Sequence, residues 1–247
     1  MDNVLNELNN LLDWYRHVYG DIKYLDGQLQ DPPERSEQPI VMEPARVPEY
    51  KKSVKDVVVT HQKSPELEKF YLEIKDCSKC PLGETRKNFV FGTGNPKARI
   101  MFVGEAPGRE EDEKGIPFVG KAGKLLDKML DTIGLKRDDI YIANILKCRP
   151  PNNRDPHPDE VALCEPYLKR QLEMISPEIL VALGRISAQV LLKRNDSLSK
   201  LRQDVQIYED IPFVVTYHPA ALLRNPQWKR NVWQDLKKIK TLMEKTA

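Results

Sequence analysis

The segment Arg99-Ile100-Met101-Phe102-Val103-Gly104-Glu105-Ala106-Pro107-Gly108 joins a run of apolar residues to a turn holding a carboxylate, a proline and two glycines. Consecutive apolar residues without polar alternation suit a strand buried on both faces, as in parallel sheets. Runs of the same character lie at 141–146, 179–183 and 213–217, with helical apolar spacing between and after them at 121–134, 158–175, 185–194 and 227–245. Strand and helix in alternation predict a three-layer α/β/α sandwich around a central, mainly parallel four-stranded sheet. Ligands of such sheets gather beyond the carboxyl ends of the strands. Glu105, Asn144 and His218 each sit at or just after such an end, so three polar groups are expected to converge.

Outside this core, the 247 residues allow one domain of ordinary size plus an appendage. The domain is expected over 65–247. Val4, Leu5, Leu8, Leu11, Leu12, Tyr15, Val18 and Tyr19 form a helical stripe, which predicts an N-terminal amphipathic helix within 1–30 that docks on the core or binds a protein partner. Prolines at 32, 33, 39, 44 and 48 mark 31–64 as a linker. No apolar run approaches the roughly 18 residues of a membrane span, and the start lacks the layout of a secretion signal. A cytoplasmic protein is expected.

The net charge of +2 conceals an asymmetry: residues 1–76 carry 10 Lys+Arg against 15 Asp+Glu, the remainder 29 against 22. A basic body suits a polyanion, because neutralised phosphates release counterions, although a modest lysine excess also suits a plain solvated surface.

Four cysteines stand as Cys-x2-Cys (Cys77, Cys80) and Cys-x15-Cys (Cys148, Cys164). In a reducing compartment the short spacing favours metal ligands over disulfides. Four thiolates suit tetrahedral zinc or an iron-sulfur cluster equally well by spacing. A zinc deaminase would need His-x-Glu ahead of its Cys-x2-Cys, and none of His17, His61, His157 or His218 is followed by that glutamate. The run from Gly115 to Ala122 almost spells a phosphate loop, but Ala122 replaces the hydroxyl that would hold magnesium.

The Gly104-to-Gly108 turn, the run His218-Pro219-Ala220-Ala221-Leu222-Leu223-Arg224-Asn225-Pro226, the four cysteines and Asn144 four residues before Cys148 together resemble the iron-sulfur uracil-DNA glycosylases of family 4. The resemblance runs from about Cys77 to the C-terminus. It implies a [4Fe-4S] cluster on Cys77, Cys80, Cys148 and Cys164, with zinc as the alternative, and DNA containing uracil as the partner. It implies that Phe118 stacks on an extruded uracil, that Asn144 pairs with its N3–H and O4, and that His218 hydrogen-bonds its O2. Glu105 is the nearest candidate for positioning water, since Ala106 stands where better-known enzymes carry an aspartate; the main chain of Ala106 and Pro107 would line the pocket. Gly108 leaves open the space where those enzymes place a tyrosine against thymine, and Glu111 would abut uracil C5 instead. Leu222 and Leu223 are wedge candidates for the gap left by a flipped base, with Arg224 holding phosphate.

The expected activity is hydrolysis of the N-glycosidic bond of uracil in DNA, giving an abasic site, with no divalent metal in the chemistry. Two rival readings are a non-turnover or covalent uracil-DNA binder of the same superfamily and a zinc-stabilised DNA-binding scaffold.

Overall fold

The computed structural model describes residues 64–245; the helix expected within 1–30 and all of the linker except Ser64 lie outside the described residues. Helix α1 (Pro65–Ile74) starts at Ser64, whose Oγ accepts from the Leu67 amide, and the single turn α2 (Leu82–Thr85) follows. Strands β1 (Thr93–Gly94) and β2 (Ile100–Gly104) lead to α3 (Arg109–Lys114) and α4 (Lys121–Asp131). Next come β3 (Tyr141–Asn144), the long α5 (Pro158–Ile175), β4 (Ile179–Leu183), α6 (Arg185–Leu192) and the short α7 (Leu198–Leu201). The hairpin of β5 (Gln206–Tyr208) and β6 (Ile211–Thr216) precedes α8 (Pro219–Arg224) and the final α9 (Lys229–Lys245).

The sheet order is β1-β3-β2-β4-β6-β5, and the four inner strands are parallel. Those four are the strands expected from continuous apolarity. The sheet nonetheless has six strands rather than four, because β1 and β5 pair antiparallel at its edges. Two and three residues are too few for a periodic signal, and Ile207 in β5 is exposed. The β5–β6 turn is made by Glu209 and Asp210, both at positive φ, without the Asn-Gly signature that marks such hairpins. No helix among the described residues is long and apolar enough to cross a membrane.

Although the inner strands are buried apart from Ile211 and Pro212 at the start of β6, their side chains still divide by face. Met101, Val103, Tyr141, Ala143, Leu180 and Phe213 pack toward Leu168 and Leu172 of α5 and Leu191 of α6. Phe102, Ile142, Val181 and Val214 pack toward Leu126 and Met129 of α4 and Leu236 of α9. Helices therefore cover both faces, and the parallel pairing leaves every inner strand pointing its carboxyl end to one rim.

The rim next to β6 is fixed by a buried ion pair. Asp235 of α9 accepts from Thr216 Oγ1 at 2.8 Å and from Arg202 Nε at 2.8 Å, and the Arg202 guanidinium lies 4.4 Å over the Tyr217 ring. Tyr217 in turn stacks on Trp228 with ring centroids 4.8 Å apart. Removing one partner of such a pair leaves an uncompensated buried charge. Asp235→Ala is expected to lower stability by about 3–5 kcal/mol, read as a fall in the midpoint of urea unfolding; an unchanged midpoint would show that Arg202 finds water instead.

Candidate active site

The parallel register sets Gly104 at the end of β2 opposite Asn144 at the end of β3. Pairing continues past both ends, with the Ile145 amide donating to Gly104 O at 3.0 Å and the Leu146 amide to Glu105 O at 3.0 Å. A Cβ on Gly104 would lie 2.4 Å from Asn144 Oδ1 and 2.8 Å from the Phe118 ring. Asn144 and Phe118 therefore meet over a bare Cα. The Phe118 ring also faces His218, with centroids 5.4 Å apart and planes inclined at 34°. From the β4 side Gly184, at φ 102, brings its Cα beneath His218, since a Cβ there would lie 3.1 Å from His218 Cβ.

Asn144 is 2% exposed, and its Oδ1 has no hydrogen-bond partner. An unpartnered buried carbonyl costs about 1–3 kcal/mol, so this oxygen is built for a donor that arrives from outside. Phe118 holds φ 53, a conformation that costs a side-chain-bearing residue about 1–3 kcal/mol. Its loop is tied down by Glu111, whose Oε1 accepts from the Val119 amide at 2.9 Å and the Gly120 amide at 3.1 Å. The other carboxylate oxygen of Glu111 lies 2.7 Å from where a Cβ on Gly108 would stand. Glu111 thus fills the space that Gly108 leaves open.

Desolvation acts on two titratable groups with opposite effect. Part of His218 remains open to solvent, yet enough protein surrounds the ring that lost hydration, with the Arg224 charge second, lowers its pKa to about 4. The Ala220 amide donates to His218 Nδ1 at 3.2 Å, which leaves the ring proton on Nε2. The imidazole is therefore a neutral donor near pH 7. Glu105 is half-buried, and burial together with the Asp155 charge raises its pKa to about 7, against the opposing pull of Arg185. Between the unfolded value and about pH 7 the folded chain keeps a proton here that the unfolded chain has released, so this group makes stability decline as pH rises. Pro107 is buried and Ala106 half-buried beside it.

The segment after His218 is not a free loop but helix α8. Leu222 is 1% exposed and packs in the core with α4 and α9, whereas Leu223 is 47% exposed, so of the two wedge candidates only Leu223 reaches the surface. Arg224 is exposed and close enough to His218 to depress its pKa.

All four cysteines are free thiols. They converge from three segments: Tyr167 donates its hydroxyl to Cys77 Sγ at 3.2 Å, Arg86 donates to Cys148 Sγ at 3.4 Å, and the Lys147 amide donates to Cys164 Sγ at 3.3 Å. Cys80 lies within electrostatic reach of both Cys148 and Cys164. Among the described residues no three His, Cys, Asp or Glu side chains close on a single ion position. Sulfur donors with N–H and O–H groups aimed at them suit a soft, anionic metal centre.

Residues 91–237 match the sequence profile of the uracil DNA glycosylase superfamily. The chain belongs to that superfamily. Relatives of this glycosylase chain that are named Type-4 uracil-DNA glycosylase include the following three. The Archaeoglobus fulgidus protein is 51% identical over 70% of this chain and 91% of its own length. The Sulfurisphaera tokodaii protein is 48% identical over 71% and 84%, and the Thermotoga maritima protein 43% identical over 70% and 92%. The family 4 resemblance read from the motifs is thereby met.

Sequence reasoning missed several residues that shape this glycosylase-family site. Gly184 and Arg185 follow the end of β4 and were findable by the same strand-end rule that picked Glu105 and Asn144. Asp155 carried no such mark, since its place beside Arg185, at 3.3 Å, depends on the loop after Cys148 folding back. The tight approach at Gly104 generates a prediction. Gly104→Ala is expected to lower stability by about 1–3 kcal/mol through overpacking, read as a lower urea midpoint; an equal midpoint would mean that the ring and the amide have room to yield.

Proposed function

We propose that this pocket hydrolyses the N-glycosidic bond of uracil in DNA, releasing the free base and leaving an abasic site. The observation that carries the reading is the unpartnered Asn144 Oδ1, buried at a strand end against an aromatic ring. Uracil offers N3–H to that oxygen and O4 to the amide NH2 of the same side chain. Cytosine carries an acceptor at N3 and a donor at C4, so it would leave both buried groups facing like partners. The neighbouring Phe118 ring supplies a stacking face for a base taken out of the duplex.

Cleavage leaves negative charge on the departing base and positive charge on the sugar, as in other oxocarbenium-like reactions. His218 Nε2–H donates to uracil O2 as charge builds there, and a neutral imidazole does so without first surrendering a proton. A preorganised donor of this kind is worth roughly 10²–10³ in rate. The Glu105 carboxylate orients the attacking water and faces the cationic sugar. Glu111, filling the space over Gly108, opposes the methyl group of thymine. Leu223 enters the gap left by the flipped base while Arg224 engages phosphate, and the excess of basic residues after Asp76 supports the polyanionic partner.

Cys77, Cys80, Cys148 and Cys164 hold a [4Fe-4S] cluster in this reading; the set of four free thiols supports it, as do the relatives' Type-4 names. When bound, the cluster supplies a rigid cross-link between the chain segments that carry its ligands. Free thiols in this number also support a cytoplasmic setting.

Purified under reducing, anaerobic conditions, the protein is expected to produce alkali-labile breaks in uracil-containing but not thymine-containing oligonucleotides, over many turnovers, with about four irons and four sulfides per chain. Absence of uracil-dependent breaks overturns the activity, whereas zinc in place of iron overturns only the cluster. The Glu105 carboxylate appears as pH rises through its raised pKa, so kcat/KM is expected to climb with a midpoint around pH 7 and to level off above it. In Glu105→Gln that limb disappears and the rate falls roughly 10²–10⁴-fold. A pH-rate profile of both proteins checks this, and an unchanged limb in the variant would assign it elsewhere.

A further inference from the structure

The loop 116–120 holds Phe118 in a left-handed conformation that a side-chain-bearing residue does not keep unaided. Arg137, in the 3-10 turn just before β3, reaches this loop from a separate part of the chain. Its Nη1 donates to Pro117 O at 3.0 Å and its Nη2 to Phe118 O at 2.5 Å. These carbonyls belong to the two peptide planes on either side of the Phe118 Cα, so holding both fixes φ and ψ of that residue together. The fork is itself oriented by Asp127 of α4, whose Oδ1 accepts from Arg137 Nε at 3.0 Å.

Two further contacts close the grip. The Phe118 carbonyl lies against Gly123, where a Cβ would come within 1.8 Å of the oxygen. Glu111 holds the amides of Val119 and Gly120 on the far side of the loop. The hydrogen bonds of Arg137 go to Asp127, Pro117 and Phe118, and none goes to Glu105, Asn144 or His218.

We propose that Arg137 is a positioning residue for base excision: its guanidinium clamps the Pro117 and Phe118 carbonyls and thereby aims the Phe118 ring at the extruded base. The inference rests on the uracil-excision reading given above. It follows that Arg137 acts on the reaction only through Phe118. A lysine ammonium is a compact point charge without the planar fork, so it cannot reproduce the two-carbonyl grip and the Asp127 bond together. Affinity for DNA without uracil, where no base occupies the pocket, does not depend on the clamp.

A double-mutant cycle tests this with Arg137→Ala, Phe118→Ala and the double variant, using single-turnover excision from a uracil-containing oligonucleotide, binding of a uracil-free oligonucleotide, and thermal melting. R137A is expected to slow excision by about 10- to 100-fold in the parent and by no more than about twofold in the F118A background, with uracil-free binding unchanged. Arg137→Lys is expected to fall between R137A and the parent, and its effect is also expected to vanish in F118A. Equal slowing by R137A in both backgrounds overturns the proposal, as does a parent-like rate accompanied only by a lower melting temperature. Should R137A not fold, the cycle with R137K carries the same criterion. A parent that excises uracil but gives an additive cycle overturns the Arg137 assignment alone; an inactive parent overturns the excision reading and this inference with it.

Discussion

A missing side chain at Gly104 is the constraint on which the pocket depends. Parallel pairing of β2 with β3 dictates that Asn144 stands opposite this position, and the absence of a Cβ lets the Asn144 carbonyl and the edge of the Phe118 ring approach the same backbone atom. The folded chain then carries two local costs at once, an orphaned buried acceptor and a phenylalanine at positive φ. Neither is explained by packing alone. Both become intelligible if the stable core beneath them, a sheet buried on two faces, holds the groups ready for a ligand that supplies the missing donor and a second aromatic plane.

The electrostatics of the pocket come from the same closeness. Withdrawal of water disfavours charge on any group, so it pushes the imidazole pKa down and the carboxylate pKa up. At neutral pH the histidine is an uncharged donor while the glutamate sits near its midpoint, and the balance at Glu105 is adjusted by Asp155 and Arg185, themselves an ion pair at the rim. In the proposed reaction a positive imidazolium beside the sugar would oppose the cation that forms there. The arrangement keeps formal positive charge at the exposed Arg224, outside the ring of contacts.

How much of this was legible in the sequence depended on the range of the interaction involved. Continuous apolar runs marked the four inner strands, and α5 and β4 were readable to the residue, because burial on both faces leaves a compositional trace. The strand-end positions of Glu105, Asn144 and His218 followed from topology. The edge strands did not, being too short for a period to form. Nor did α8: with Pro219 at its first position and Leu222 three residues on, only packing against α4 and α9 decides which of two adjacent leucines turns inward. Arg137, Arg86 and Lys147 look like surface charges in the sequence. Their roles arise from partners as far away as Cys148 is from Arg86, 62 residues along the chain, and no local pattern encodes such a contact.

Lys147 shows how the thiol corner and the pocket are mechanically joined. It is fully buried, and its ammonium donates to the main-chain oxygen of Asn144 at 2.9 Å and to Gln171 Oε1 at 2.6 Å, while its own amide donates to Cys164 Sγ at 3.3 Å. Gln171 passes the network on, donating to Phe91 O at 2.9 Å. Arg86 does the corresponding work on the other side, binding Cys148 Sγ together with the carbonyls of Cys77 and Lys75. Asn144 is therefore held from the sheet by its strand and from the thiol corner by Lys147. Burial lowers the Lys147 pKa to about 8, and the charges that Cys164 and Cys148 can carry oppose that shift. Whatever fixes those sulfurs also steadies the backbone on which Asn144 rides.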